Sequence, residues 1–142
     1  MDIRHTEVSD WFHINKCNRT VLSENYKEST YKDVLNSPHT SSFVLLDTGR
    51  IVGYIIAILQ REAVVYGHII SLGIYKEYRK QGYGRILMEL VESDMHKIKY
   101  IILHVRKLNK PALALYTYLG YKGVKKIKYG NSDGYILQKY MI

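Results

Sequence analysis

The stretch Ser71–Glu92, SLGIYKEYRKQGYGRILMELVE, reads as the end of a buried strand, a basic turn Arg79-Lys80-Gln81-Gly82-Tyr83-Gly84, and an amphipathic helix. A strand that feeds a glycine turn at a helix start is a ready-made phosphate site. Backbone N–H groups and the positive end of the helix dipole face the anion there. Arg79, Lys80 and Arg85 add fixed positive charge. The turn lacks the Gly-Lys-Ser/Thr of a mononucleotide P-loop, and its glycine spacing is wrong for the dinucleotide fingerprint. On its own, it reads equally well as a tight strand–helix connection that needs glycine for its geometry.

Outward from this stretch the apolar periodicity lays out the elements. Met1–Arg4 suits a short edge strand. Ser9–Cys17 suits a first helix, with Trp11, Ile14 and Cys17 at helical spacing. Glu24–Ser37 holds a second helix that stops at Pro38. Ser42–Asp47 and Ile51–Leu59 flank Asp47-Thr48-Gly49-Arg50, a hairpin signal. Val64–Ile74 is a strand broken by Gly67 and Gly73. Gly84–Met95 is a helix with Ile86, Leu87, Leu90, Val91 and Met95 on one face. Lys99–Val105 reads as a central strand, apolar on both faces. Pro111–Leu119 is a helix with proline in its first turn, where it does no harm, and Gly120 ends it. Tyr121–Tyr129 and Tyr135–Met141 form a last strand pair around the loop GNSDG.

Bulk properties narrow the function. A chain of 142 residues holds one domain with a core, here residues 1–142. The net charge of +8 suits nucleic acid, an anionic membrane or an acidic small ligand. The first of these lacks a recognition helix, a basic tail, and an aromatic stacking platform on a basic strand face. Cys17 is the sole cysteine, so no internal disulfide forms, and a lone cysteine argues against a cysteine-based metal site. Met1–Asp10 is polar and unlike a signal peptide, and the apolar runs are too short to span a bilayer. The expectation is a cytoplasmic protein with no membrane partner and no metal.

A second segment, Leu103–Lys122, adds a strand end, a polar loop with Asn109, and a helix carrying Ala112, Leu115, Tyr116 and Leu119 on one face. Arg79-x-x-Gly82-x-Gly84 followed by Asn109-x-x-Ala112-x-x-Leu115-Tyr116 and Leu119-Gly120-Tyr121 resembles the GNAT superfamily of acetyl-CoA-dependent N-acetyltransferases. The likeness covers essentially the whole chain. Leu22-Ser23-Glu24-Asn25-Tyr26, Gly67-His68-Ile69 and Leu103-His104-Val105-Arg106-Lys107 are similar to the N-terminal acetyltransferases, of RimI and more closely of NatA catalytic type.

That resemblance implies an α/β fold, a mixed sheet of about seven strands flanked by about four helices. It implies acetyl-CoA as cosubstrate. Arg79, Lys80, Gln81, Gly82, Tyr83, Gly84 and Arg85 would hold its pyrophosphate, Leu72, Gly73 and Ile74 its pantetheine arm, and Asn109 and Tyr116 the far end of that arm. Gly73 is expected to let the arm approach the backbone closely. Candidate catalytic groups are Glu24, His68 and His104 on the amine side and Tyr116, expected half-buried, on the thiol side. Glu24, Tyr26, Arg106 and Tyr129 are candidates for gripping the peptide. The implied partners are free protein N-termini, including nascent chains, with an auxiliary ribosome-docking subunit left open and no nucleic acid required. The competing reading is a GNAT enzyme acting on a lysine side chain or small amine.

Overall fold

The structure, a computed structural model, describes residues 1–141. Its elements are β1 (Asp2–His5), α1 (Trp11–Val21), α2 (Glu28–Asn36), β2 (Thr40–Asp47), β3 (Arg50–Arg61), β4 (Val65–Ile74), α3 (Tyr83–Asp94), β5 (Tyr100–Arg106), α4 (Lys110–Tyr118), β6 (Lys122–Tyr129) and β7 (Ser132–Tyr140). The seven strands form one mixed sheet in the order β1-β2-β3-β4-β5-β7-β6. Every pairing is antiparallel except β4–β5, which α3 joins by a crossover.

Strand alternation sends the apolar side chains to two faces. On one, Leu87, Met88 and Val91 of α3 and Tyr116 of α4 pack against Ile55, Ile69, Leu103, Val105 and Leu137. On the other, Ile14 and Cys17 of α1 and Tyr31 of α2 pack against Val44, Leu46, Tyr54 and Ile56. Burying each such side chain is worth about 1.5–3 kcal/mol, so both helix pairs are held by packing.

The expected hairpin after β2 is present, with Thr48 and Gly49 both at positive φ, the backbone a two-residue hairpin turn demands. Other expectations need correction. Helix α1 runs on to Val21, where Leu22 turns extended. Helix α2 starts at Glu28, which leaves residues 22–27 as a loop. Ile86 does not share the buried face of α3; Met88 does. Strand β5 is not apolar on both faces: Ile101, Leu103 and Val105 are buried, while Tyr100, Ile102 and Arg106 are half-exposed and His104 exposed. The β6–β7 turn is Gly130-Asn131, since Ser132 and Asp133 already pair with β6.

The glycines do not break β4. Its irregularity is at Ile70, because Ile56 pairs with Ser71 and Ala57 with Ile69. Ile70 is the extra residue of a β-bulge. At Gly67 a Cβ would sit 2.6 Å from Met95 Sδ and 2.9 Å from Ile98 Cδ1, so a larger residue there would have to displace both side chains.

Candidate active site

The bulge opens a wedge in the sheet. Strands β4 and β5 pair over three positions, Gly67–Ile69 against Ile101–Leu103, and beyond Leu103 they separate. Tyr75 N–H donates to Val52 O on β3. By strand alternation, the amides of Leu72 and Ile74 therefore point the other way, into the wedge, while Ile70, inside the bulge, lies outside that alternation. Two of their carbonyls have partners: Tyr26 OH donates to Ile70 O at 3.1 Å and Arg79 Nε to Ile74 O at 3.0 Å. Leu72 lies between them.

The bulge also turns Ser71 towards α1. Ser71 Oγ and Tyr54 OH lie 2.6 Å apart, and Asn18 Nδ2 donates to Tyr54 OH at 2.9 Å. All three residues are buried. Removing one member of such a network leaves a buried polar group unpaired, at about 1–3 kcal/mol. The sequence reading missed this network; its one signal was Asn18, a polar residue on the buried stripe of α1 beside Ile14 and Cys17. Gly73 is needed for the same packing, since a Cβ there would lie 2.7 Å from Tyr54 Cε1 and 3.0 Å from Val21. The protein's own side chains thus fix this glycine, where the sequence pointed to close approach of a ligand.

One end of the wedge meets the basic turn. Lys80 and Gly82 have φ of 62° and 85°, and Gly82 caps α3. No acidic residue occupies the first turn of this 12-residue helix, and Arg79, Lys80, Gln81 and Arg85 are exposed. The turn therefore offers backbone N–H groups, a helix dipole and cationic side chains to one anion. Gly84 lets α3 approach α4: a Cβ there would be 3.2 Å from Leu115. Asn109 is the N-cap of α4, its Oδ1 accepting from Ala112 N–H at 3.4 Å. Tyr116 is buried rather than half-buried, and burial pushes its phenol up to about 12.

On the α1 side of the wedge, His68 and His104 lie ring to ring with centroids 5.1 Å apart. Burial first, and then His104, push His68 down to about 4; burial lowers His104 as well. Both shifts favour the neutral imidazole over the imidazolium. Arg106, two residues beyond His104 on the same face, spans the mouth. Its Nε donates to Glu24 and its Nη1 to Ser132, and its guanidinium sits 4.6 Å from the centre of the Tyr129 ring. Glu24 belongs to the 22–27 loop and Ser132 and Tyr129 to the β6–β7 hairpin, so one side chain ties the two walls together.

Four expected groups thus meet around the wedge and mouth: Glu24 with Arg106 and Tyr129, His68 with His104, Tyr26 on the bulge carbonyl, and the basic turn on the end of β4. Glu24 is engaged by a guanidinium rather than free. Ser132 is a member that spacing did not reveal. Among the described residues no cluster of three or more His, Cys, Asp or Glu could hold a metal ion, and no helix is long and apolar enough to cross a membrane.

Residues 5–121 match the family model described as Acetyltransferase (GNAT) family. The N-terminal acetyltransferase A complex catalytic subunit NAA10 of Arabidopsis thaliana is 37% identical over 126 residues, covering 84% of this chain and 66% of the plant protein. An N-alpha-acetyltransferase of Sulfurisphaera tokodaii is 31% identical over 144 residues, covering 93% and 86%. The crystal structure of Chaetomium thermophilum Naa20 with a bisubstrate analogue superposes with a TM-score of 0.88 at 26% identity, covering 99% of this chain and 87% of that one.

Proposed function

This chain belongs to the acetyltransferase (GNAT) family, and from that premise we propose that it transfers the acetyl group of acetyl-CoA to the free α-amine of protein N-termini. The observation that carries the reading is the wedge at Ile70 with the anion turn at one end and the paired histidines on its α1 side. The named relatives over most of this chain's length act on α-amines, which supports the choice of acceptor.

The residues fit the cosubstrate. The turn Arg79–Arg85 would hold the pyrophosphate, and the unpaired edge around Leu72 would add a pantetheine arm as a strand is added to a sheet. Bound acetyl-CoA supplies a thioester, an acyl group already activated for attack by an amine. The Leu72 N–H points into the wedge, where it would polarise the acyl carbonyl as an oxyanion-hole donor does.

The acceptor enters as an ammonium whose pKa is near ~8, so modest base assistance suffices at neutral pH. His68 and His104, neutral and adjacent, would orient a water through which the proton passes on to bulk solvent. Their lowered pKa makes them weak bases, so they orient that water more than they store its proton. Glu24 presents a carboxylate to the arriving ammonium once Arg106 shifts towards Tyr129 and Ser132. Tyr26 and Tyr129 flank the first residues. Tyr116, kept protonated by burial, donates a hydrogen bond on the thiol side. Every group invoked lies in one chain, so an auxiliary subunit such as the plant complex implies would govern placement, for instance on ribosomes in the cytoplasm, rather than chemistry.

The test is CoA release from acetyl-CoA with peptides bearing free Ser, Ala or Met N-termini, beside an N-blocked peptide with an internal lysine. Turnover confined to free N-termini is expected. Turnover of the blocked lysine peptide at equal or higher kcat/KM would overturn the reading.

A further inference from the structure

Ile70 and Ser71 are consecutive, yet both turn towards α1. Ile70 packs with the residues beneath α1 and α2, and Ser71 Oγ meets Tyr54 OH there. Leu72 and Ile74 pack on the other side, against the cluster under α3. The bulge allows this, and it sets the direction of one N–H. The Ser71–Leu72 peptide carries the amide that points into the wedge. Were the slip taken out, every residue beyond Ile70 would change faces. Ser71 would put its hydroxyl into the apolar cluster under α3, and the Leu72 N–H would turn back to β3.

Tyr54 bears on both sides of that amide. It pairs with Gly73 in the β3–β4 register, and a Cβ on Gly73 would lie 2.7 Å from its Cε1 and 3.1 Å from its hydroxyl oxygen. The same hydroxyl is 2.6 Å from Ser71 Oγ. One side chain thus touches the residue before Leu72 and the residue after it. Asn18 of α1 holds this clamp in turn: its Nδ2 donates to Tyr54 OH at 2.9 Å and reaches Ser71 Oγ at 3.4 Å. Asn18 and Tyr54 have no exposed surface, so solvent does not compete for these bonds. Apolar side chains of the same volume would fill the space without desolvating a polar group. What a hydrogen-bonded set adds is a single permitted arrangement.

We propose that Asn18, Tyr54 and Ser71 are positioning residues for acyl transfer, and that they hold the Leu72 N–H on the acyl oxygen. This rests on the acetyl-CoA reading given above. As the amine nitrogen bonds to the acyl carbon, its proton leaves to water. The carbon–sulfur bond breaks and its electron pair goes to sulfur. Negative charge gathers on the acyl oxygen in between, and the Leu72 N–H is the donor placed to meet it. A donor displaced by about 1 Å loses most of its effect, so the clamp acts on rate more than on binding.

The experiment compares wild type with Tyr54→Phe, which keeps the ring against Gly73, with Ser71→Ala, and with the two combined. Ile14→Val, in the same apolar cluster and outside the network, is the packing control. Rates are read with a free-Ser peptide, well below each Tm. Each single network variant should lower kcat about ten- to a hundredfold, with both KM values within about twofold of wild type. The double variant should lose no more than the worse single, because the two groups act as one unit. Ile14→Val should lower Tm and leave kcat unchanged. A second readout needs no acceptor: the carbonyl stretch of bound acetyl-CoA, labelled with carbon-13 at that carbonyl, should lie lower in wild type than in the network variants. Network variants with a lowered Tm but wild-type kcat and carbonyl stretch would make the clamp structural alone and overturn the proposal. So would an equal loss of kcat in Ile14→Val, or the failure of every network variant to fold. A wild type that acetylates only the blocked lysine peptide would overturn the α-amine acceptor, and the carbonyl stretch would then decide the clamp by itself. A wild type that neither binds acetyl-CoA nor turns over any amine would overturn both.

Discussion

Gly134→Ala should cost both stability and grip on the peptide. Gly134 lies opposite Arg106 on β5 and Ile127 on β6. A Cβ there would sit 2.3 Å from Tyr129 Cε2, 2.8 Å from its Cδ2 and 2.7 Å from the Val105 carbonyl oxygen. Carbon atoms pack at about 3.5–4.0 Å, so the ring must swing out by more than about 1 Å. The Val105 carbonyl belongs to the β5–β7 ladder and moves only with its strand. Overpacking of this kind costs about 1–3 kcal/mol, and the backbone contact argues for the upper half of that range. For a chain of this size that is a fall of about 4–12 °C in Tm. The swing also takes Tyr129 from beneath Arg106, removing a cation–π contact worth about 0.5–1 kcal/mol at a partly exposed site.

Thermal unfolding and steady-state kinetics read the two effects separately. Peptide KM should rise several-fold while acetyl-CoA KM stays put, because the anion turn is at the far end of β4. Tyr129→Ala in the Gly134→Ala background removes the ring clash but not the carbonyl clash, so it should recover part of the Tm and none of the peptide KM. A Gly134→Ala protein within a degree of wild type, with unchanged peptide KM, would refute the packing argument.

Two further outcomes follow from burial. The folded-state pKa of His68, about 4, lies below the ordinary 6.5, so the unfolded chain binds the proton first. Stability is then full above about pH 6.5 and lost as pH falls towards 4, by at most about 3 kcal/mol and less with solvent screening. His68→Gln should flatten that slope, seen as a smaller drop in urea midpoint between pH 7 and pH 4.5; parallel slopes would refute it. Cys17 is fully buried, and burial pushes its thiol up to about 12. It should release no chromophore from a disulfide thiol reagent in the native state and one equivalent in denaturant; rapid native reaction would contradict the packing of α1.

What the sequence disclosed follows from what local chemistry can encode. The hairpin at Thr48-Gly49 and the turn at Lys80–Gly82 need positive φ, and glycine marks such places. The motif residues of the site were legible because strand, turn and helix are contiguous there. The bulge was not legible: Ile70 sits in the unbroken run IISLGI, and a one-residue register slip leaves no mark on composition. Nor was the Arg106–Glu24 pair, whose partners are 82 residues apart. The open face of β5 was misread because Ile102 hides the alternation; His104 and Tyr100 were the signals that one face meets solvent.

The bulge explains why this sheet keeps a gap where a fully paired one would have none. Unpaired strand amides inside a fold cost free energy unless something satisfies them. Here Tyr26 caps the Ile70 carbonyl at the near end and Arg79 the Ile74 carbonyl at the far end. The buried Asn18–Tyr54–Ser71 network fastens the slip between them from behind. The fold's own side chains thus bond a carbonyl at each end of the gap and leave Leu72 between them. A wedge satisfied along its whole length would be a structural irregularity. One whose carbonyls are held at both ends keeps an open middle, and the proposed acyl-donor reading rests on that difference.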